Sequence, residues 1–350
     1  MPPRFQPLTV AAVRRLTAGS IAVTLDAPAA FRDFVPGQYL TLRATIAGQD
    51  VRRSYSICSI PGDPRLQVGI RQIHGGLFST WANFSLKQGD TLQVMRPEGR
   101  FGITIDATAS RVFAAFAAGS GITPILSIAK TVLAHEPGSR FFLFYGNRAT
   151  SGIMFREDIE DLKDRYLSRL SVFHVLSRER QELDILNGHI DAGKIPALLR
   201  LMPVPDHTFV CGPQPMIEGL ESALTMAGLP RHGIHVERFT PSSETPRPPA
   251  VVVEGAPPAA IATLILDGAR IEVPMAEGET IVEAATRAGR DPPFSCKAGM
   301  CCTCRALLRE GRVEMAANYS LEAWEEAAGY ILTCQARPLT ARLVVDYDQV

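Results

Sequence analysis

Four cysteines have the spacing of a metal-ligand set. Cys296, Cys301 and Cys304 are separated by four and then two residues, and Cys334 follows after twenty-nine more. Thiolates are ligands for both zinc and iron. The pattern C-x4-C-x2-C…C suits a [2Fe–2S] centre, with three sulfurs on one loop and the fourth on a returning strand. Zinc is the rival ion, but ribbon-like zinc sites use two C-x2-C knuckles and only one occurs here. Gly299 suits a tight loop whose backbone N–H groups point at cluster sulfurs. Cys302 falls outside the four-ligand count and reads as a small, partly buried residue.

These cysteines need a scaffold, and the flanking sequence describes one. Ala262–Leu266 and Arg270–Val273, joined at Asp267-Gly268, read as a hairpin. Thr280 and Glu283 form a capping box that opens a helix stopping at Gly289. Upstream, the stretch Thr240–Pro258 is rich in proline and small residues and reads as a semi-rigid linker. Before it, residues 1–107 carry short β-runs at Ile21–Leu25, Tyr39–Arg43, Tyr55–Cys58, Leu66–Ile70 and Thr91–Met95, which suggest a barrel. From Arg111 the texture changes. Strand-like runs at Val112–Ala117, Phe141–Tyr145, Leu170–Leu176 and Thr208–Cys211 alternate with helical stretches at Pro124–His135 and Met216–Ala227, the mark of a parallel α/β layer.

Composition sets the outer limits. The 350 residues exceed one ordinary domain, and 46% hydrophobic with 21% charged residues supply several packed cores. Thirty-six Lys+Arg balance thirty-six Asp+Glu, so there is no basic field for nucleic acid or an anionic membrane. From Ala259 onward thirteen acidic and nine basic residues leave a net −4, and +4 for the rest. No signal-like or membrane-spanning run is present, and a cytoplasmic protein is expected.

Further motifs lie in the first two regions. Arg53-Ser54-Tyr55-Ser56 resembles the R-x-Y-S motif of the ferredoxin–NADP reductase superfamily. The resemblance implies that Arg53 meets flavin phosphates, Tyr55 stacks on the isoalloxazine and Ser56 reaches N5. A guanidinium suits a diphosphate, and an aromatic face suits a π-system. Pro36-Gly37-Gln38-Tyr39 precedes this motif, and Gly75-Gly76-Leu77-Phe78-Ser79-Thr80 follows it at the family's place. The second resembles the helix start that binds flavin phosphates through backbone N–H groups.

Gly119-Ser120-Gly121-Ile122-Thr123-Pro124 departs from G-x-G-x-x-G and resembles the superfamily's pyrophosphate loop. Cys211-Gly212-Pro213-x-Pro215-Met216 resembles its C-G-P-x-x-M, which brings a cysteine beside the nicotinamide. Ser177-Arg178-Glu179 resembles the S-R-E of NADP-dependent reductases, and Arg148 stands at another strand end. Together they imply NADPH, since an NAD site more often offers an acidic residue to the ribose. Glu237-Arg238-Phe239 resembles the segment that closes over the flavin. The seven histidines show no ligand spacing.

The C-terminal region resembles plant-type ferredoxins, and the whole order resembles the reductase components of multicomponent oxygenases. The expectation is a multidomain chain in four stretches. They are an antiparallel β-barrel for FAD (1–107), an α/β parallel-sheet NADP domain (108–240), a Pro-rich linker (241–260) and a β-grasp [2Fe–2S] ferredoxin domain (261–350). Cys296, Cys301, Cys304 and Cys334 are the implied metal ligands, and Ser56, Cys211 and Glu237 the implied catalytic residues. Electrons would run from NADPH through FAD and the cluster to a di-iron oxygenase. Reductases of ketosteroid and aromatic-ring hydroxylases share this order. Two other classes stay open: a zinc-stabilised, non-enzymatic module, and a stand-alone NAD(P)H sensor or nitric-oxide-type detoxifying enzyme, which would expect haem ligands, and no such motif stands out.

Overall fold

A computed structural model describes residues 4–239 and 257–349. The chain forms two compact units, one spanning Phe5–Thr240 and the other holding Pro241–Val350 with the first four residues. Most of the expected linker lies outside the described residues.

The first unit opens with six strands: β1 (Phe5–Thr17), β2 (Ser20–Asp26), β3 (Tyr39–Ile46), β4 (Gln49–Ser56), β5 (Arg65–Arg71) and β6 (Thr91–Met95). Helix α1 (Leu77–Phe84) lies between the last two. The sheet order β4-β3-β6-β1-β2-β5 is antiparallel throughout. Its outer strands meet at the bridge Ile57↔Val68, which closes the barrel. Val10, Ile21, Val23, Leu25, Leu40 and Val94 alternate inward and are fully buried. β1 escaped the sequence pattern because it serves two partners. Phe5–Thr9 pair with β6 and Val10–Thr17 with β2, and register shifts at Val10/Ala12 and Arg15/Thr17 break the two-residue period.

Five parallel strands follow: β7 (Val112–Ala118), β8 (Arg140–Asn147), β9 (Leu170–Leu176), β10 (His207–Gly212) and β11 (Ile234–Arg238). Their helices are α2 (Ile122–His135), α3 (Arg156–Arg165), α4 (Ile195–Leu199) and α5 (Gln214–Met226). The order β11-β10-β7-β8-β9 reverses between β7 and β10, so the loops after these strands flank the crevice where open α/β sheets bind ligands.

Helix α2 bolts this layer to the barrel. Ser127 is fully buried and donates to the Ser59 carbonyl at 2.7 Å, and Lys130 Nζ donates to the Cys58 carbonyl at 3.3 Å. Arg14 of β1 pairs with Asp158 of α3. Gly69 of β5 faces Thr123 and Phe155 so closely that a Cβ there would lie 2.7 Å from the threonine methyl.

The second unit contains β12 (Ala260–Leu266), β13 (Ala269–Met275), β14 (Arg305–Glu310), β15 (Val313–Met315), β16 (Tyr330–Leu332), β17 (Ala336–Pro338) and β18 (Arg342–Asp346). Helices α6 (Ile281–Arg287) and α7 (Ala323–Ala327) complete it. The mixed sheet β13-β12-β18-β14-β16 packs Ile281, Ala284 and Ala285 of α6 against Leu264 and Val345, a β-grasp arrangement. The capping box is formed: Glu283 N–H donates to Thr280 Oγ1 at 3.3 Å, and the Glu283 carboxylate accepts the Thr280 N–H at 2.9 Å.

Candidate functional site

Strand alternation sorts the two arginines of β4. Arg52 lies on the face opposite core-facing Val51, 4% exposed against the Phe5 ring and paired with Asp50 at 3.0 Å, whereas Arg53 is exposed on the other face of the strand, in register with Leu42. Tyr55 is half-buried, with its ring 5.6 Å from that of Phe78, and Ser56 is buried opposite Tyr39. Gly76 caps α1 and, having no side chain, makes no capping hydrogen bond to the first turn. Ser79 Oγ instead accepts the Ile73 N–H at 3.1 Å, and a Cβ on Gly76 would lie 2.7 Å from that hydroxyl. The Gly76 N–H is given to the Ile73 carbonyl at 2.9 Å, so the helix start fits an anionic flavin tail through the backbone donors that follow it, beginning at Leu77. The side chains of Phe78 and Ser79 are buried, so their contribution to such a tail is through the backbone.

At the switch point, Gly119 adopts φ +55° and its carbonyl accepts the Tyr145 hydroxyl at 2.8 Å. A Cβ on Gly121 would overlap the Cys211 carbonyl, so glycine lets the loop lie directly on β10. Thr123 and Pro124 are buried behind the loop, and Thr123 Oγ1 donates to the Ser120 carbonyl at 2.9 Å. Gly212 lies under Met216, and Pro213 leads into α5. Gln214 Oε1, in the first turn of that helix, is buried without a hydrogen-bond partner among the described residues. It can accept a hydrogen bond from a ligand at this rim, and the crevice fits a dinucleotide.

Cys211 pairs in register with Glu237 of β11. The cysteine is fully buried, and desolvation, with the Glu237 charge second, pushes its thiol well above its ordinary range. Glu237 keeps part of its surface in solvent, yet burial of the carboxyl raises it from 4.5 to about 8, so it is mostly protonated at neutral pH. Phe239 follows, 38% exposed.

Arg148 and Arg178 come together at the ends of β8 and β9, where the Arg178 N–H donates to the Arg148 carbonyl at 2.8 Å. Both side chains are exposed, and Ser177 beside them is half-buried. Glu179 turns away from them: its carboxylate accepts the Thr150 N–H at 2.7 Å and the Thr150 hydroxyl at 2.8 Å, fixing the turn after Arg148.

In the second unit, the loop before β14 gathers the cysteines. Cys296 Sγ accepts the N–H groups of Ala298 and Met300 at 3.3 and 3.5 Å. Cys301 and Cys334 lie within hydrogen-bond reach of Cys296, which holds its thiol far below the ordinary range and theirs above it. Cys304 and Cys334 are buried with Phe294, Leu321 and Leu332. Gly299 is needed at φ +74°, where a Cβ would lie 2.7 Å from the Ala317 carbonyl. Among the described residues no three His, Cys, Asp or Glu side chains are set out for a single ion. The mutually close sulfurs, with backbone donors already aimed at one of them, fit a two-iron centre with two sulfurs on each iron. Cys302 stands apart and donates to the Ser320 carbonyl at 3.3 Å.

Sequence reading missed several supports of these sites: Tyr145 under Gly119, Ser127 against Ser59, and Thr333, whose hydroxyl donates to the Cys304 carbonyl at 2.8 Å. Single hydroxyls inside apolar runs give no sequence signal of their partners.

A barrel with an open helix start, a glycine-lined switch point and a four-cysteine loop defines an electron-transfer reductase. Three family matches agree: "Oxidoreductase FAD-binding domain" over residues 10–103, "Oxidoreductase NAD-binding domain" over 116–222 and "2Fe-2S iron-sulfur cluster binding domain" over 264–339. The chain is 42% identical to one of the polypeptides of 1,2-phenylacetyl-CoA epoxidase from Escherichia coli, covering 98% of each. It is 34% identical to the ferredoxin reductase component of 3-ketosteroid-9-alpha-monooxygenase from Rhodococcus rhodochrous, covering 97% of this chain and 96% of that one. In fold it is similar to phthalate dioxygenase reductase, with a TM-score of 0.61, 23% identity and 98% of each chain covered. The chain belongs to the ferredoxin–NADP reductase superfamily, in the branch that carries a C-terminal [2Fe–2S] ferredoxin domain. It is an NAD(P)H-dependent oxidoreductase with FAD and an iron–sulfur cluster as cofactors. No helix of the described residues is long and apolar enough to cross a membrane.

Proposed function

We propose that this chain is a cytoplasmic reductase component that takes electrons from NADPH and delivers them to a di-iron phenylacetyl-CoA epoxidase in aerobic phenylacetate degradation. The observation that carries this reading is the 42% identity, over 98% of both chains, to a polypeptide of the Escherichia coli epoxidase. The proposed domains are FAD-binding 1–107, NADP-binding 108–240, linker 241–260 and ferredoxin 261–350.

Bound flavin accepts the electron pair of a hydride and releases electrons singly to a cluster that takes one at a time. The chain's residues bind and orient. Arg53 and the backbone that follows Gly76, at Leu77, Phe78 and Ser79, hold the flavin phosphates, while Tyr55 offers its ring face and Ser56 its hydroxyl to the isoalloxazine. Gly119, Gly121, Thr123 and Pro124 shape the pyrophosphate loop. Ser177, Arg178 and Arg148 take the 2′-phosphate, for which two exposed guanidinium groups at adjacent strand ends are suited. Cys211, Gly212 and Pro213 line the nicotinamide side. Glu237, carrying a proton at neutral pH, donates a hydrogen bond there, and Phe239 covers the flavin. Their contribution is alignment. Cys296, Cys301, Cys304 and Cys334 bind the cluster.

The test is NADPH-dependent turnover of reconstituted phenylacetyl-CoA epoxidase. Coupled turnover supports the assignment. No turnover, beside active transfer to a ketosteroid hydroxylase, discards the phenylacetyl-CoA assignment and keeps the reductase.

A further inference from the structure

Directly after the last loop cysteine lies a charge pair between β14 and α7. Arg305 follows Cys304 and opens β14, its backbone N–H donating to the Cys302 carbonyl at 2.9 Å. Its side chain is 12% exposed, and its Nε lies 2.7 Å from Oε1 of Glu325, which is fully buried. The guanidinium carbon sits 3.6 Å from the centre of the Tyr330 ring. The other Glu325 oxygen accepts the Glu322 N–H at 3.0 Å, which fastens the carboxylate to the start of α7.

Tyr330 touches the guanidinium on its face and also packs against the apolar group around Cys304, Cys334 and Leu332. The pair thus adjoins, through Tyr330 and through the chain at Cys304, the packed group that holds Cys304 and Cys334. Stability alone does not account for such a pair, because well-packed apolar residues of similar volume commonly serve as well as a buried ion pair. What a charge pair does supply is a local field. Net charge close to an iron–sulfur centre is one of the determinants of its potential. Reduction adds negative charge, so an uncompensated guanidinium favours the reduced form and a carboxylate beside it cancels that preference.

We propose that Arg305 and Glu325 are positioning residues for the cluster, in which Glu325 holds down a reduction potential that Arg305 alone would raise. The inference rests on the reading of the four cysteines as [2Fe–2S] ligands. It is tested on the full-length protein by redox titration, following the cluster's visible and EPR signals with iron and flavin content as controls. Glu325→Gln should shift the midpoint potential upward, and the double variant Arg305→Gln/Glu325→Gln should return it toward the parent value. Should Glu325→Gln fail to hold a cluster, Glu325→Asp withdraws the carboxylate by one methylene and should give a smaller upward shift. A cluster-loaded Glu325 variant with the parent potential overturns the inference. So does a double variant displaced as far as the single one, which would indicate repacking. A parent protein holding zinc instead of iron overturns the ligand reading as well, whereas an iron-loaded parent with unmoved variants removes only this inference.

Discussion

Arg178 and Arg148 stand exposed at two adjacent strand ends, with Glu179 engaged elsewhere by Thr150. A charge-assisted contact to a phosphate contributes roughly 1.5–3 kcal/mol, about one to two decades in affinity. Arg178→Ala should therefore raise the KM for NADPH by that order and leave NADH nearly unchanged; equal losses with both would assign Arg178 to structure. The cysteines make a sharper contrast. Serine at Cys296, Cys301, Cys304 or Cys334 should remove the cluster's share of the visible absorption, leaving that of the flavin, and lower the iron content, while Cys302→Ser should keep both. Glu237 brings a pH effect. Its carboxyl titrates at about 8 in the folded chain against 4.5 ordinarily, so between those values the folded state binds a proton that the unfolded chain does not. Stability contributed by that proton is full below about pH 4.5 and is lost as the pH rises toward 8. Melting curves taken on the acid side of that window and above it should show a smaller drop for Glu237→Gln than for the parent, with flavin retained. The residue types at these positions were legible because phosphate, flavin and iron each demand a particular donor. That Phe78 and Ser79 face inward was not, since burial depends on how α1 lies on the barrel.

Among the elements, the hairpin of β12 and β13 and the start of α6 could be read directly, because a two-residue turn and a capping box are local chemistry. β1 could not, because its register changes partner partway along. The capping box gives a measurable consequence. Thr280 is buried, and its loss leaves the first-turn N–H of Glu283 without its acceptor. Thr280→Ala should cost about 1 kcal/mol. Urea unfolding followed at the cluster's absorbance would register it, and an unmoved midpoint would show that packing against the sheet alone holds α6.

The division of the whole molecule separates the flavin and nicotinamide layers from the cluster. Truncation near Pro249, outside the described residues, should leave a flavoprotein that oxidises NADPH with ferricyanide at close to the parent rate. Transfer to an oxygenase, or to any acceptor that docks on the ferredoxin, should vanish. Coupled turnover by the truncated protein would show that electrons leave from the flavin instead. The excess acidic charge of the C-terminal region also makes docking to a basic partner sensitive to ionic strength, read as a KM for the oxygenase that rises with salt.

Ser127 and Lys130 bear on how such reductases can be recombined. They fasten α2, the helix that follows the proposed pyrophosphate loop, to carbonyls two and three residues past Ser56. A chimera that trades its nicotinamide layer for a cousin's must import a matching hydroxyl and ammonium at those two points. Otherwise the nucleotide loop arrives out of register with the flavin strand. Ser127, Lys130 and their two acceptor carbonyls all lie in the first unit, so exchange of the second unit leaves both bonds in place, whereas a splice along α2 breaks them.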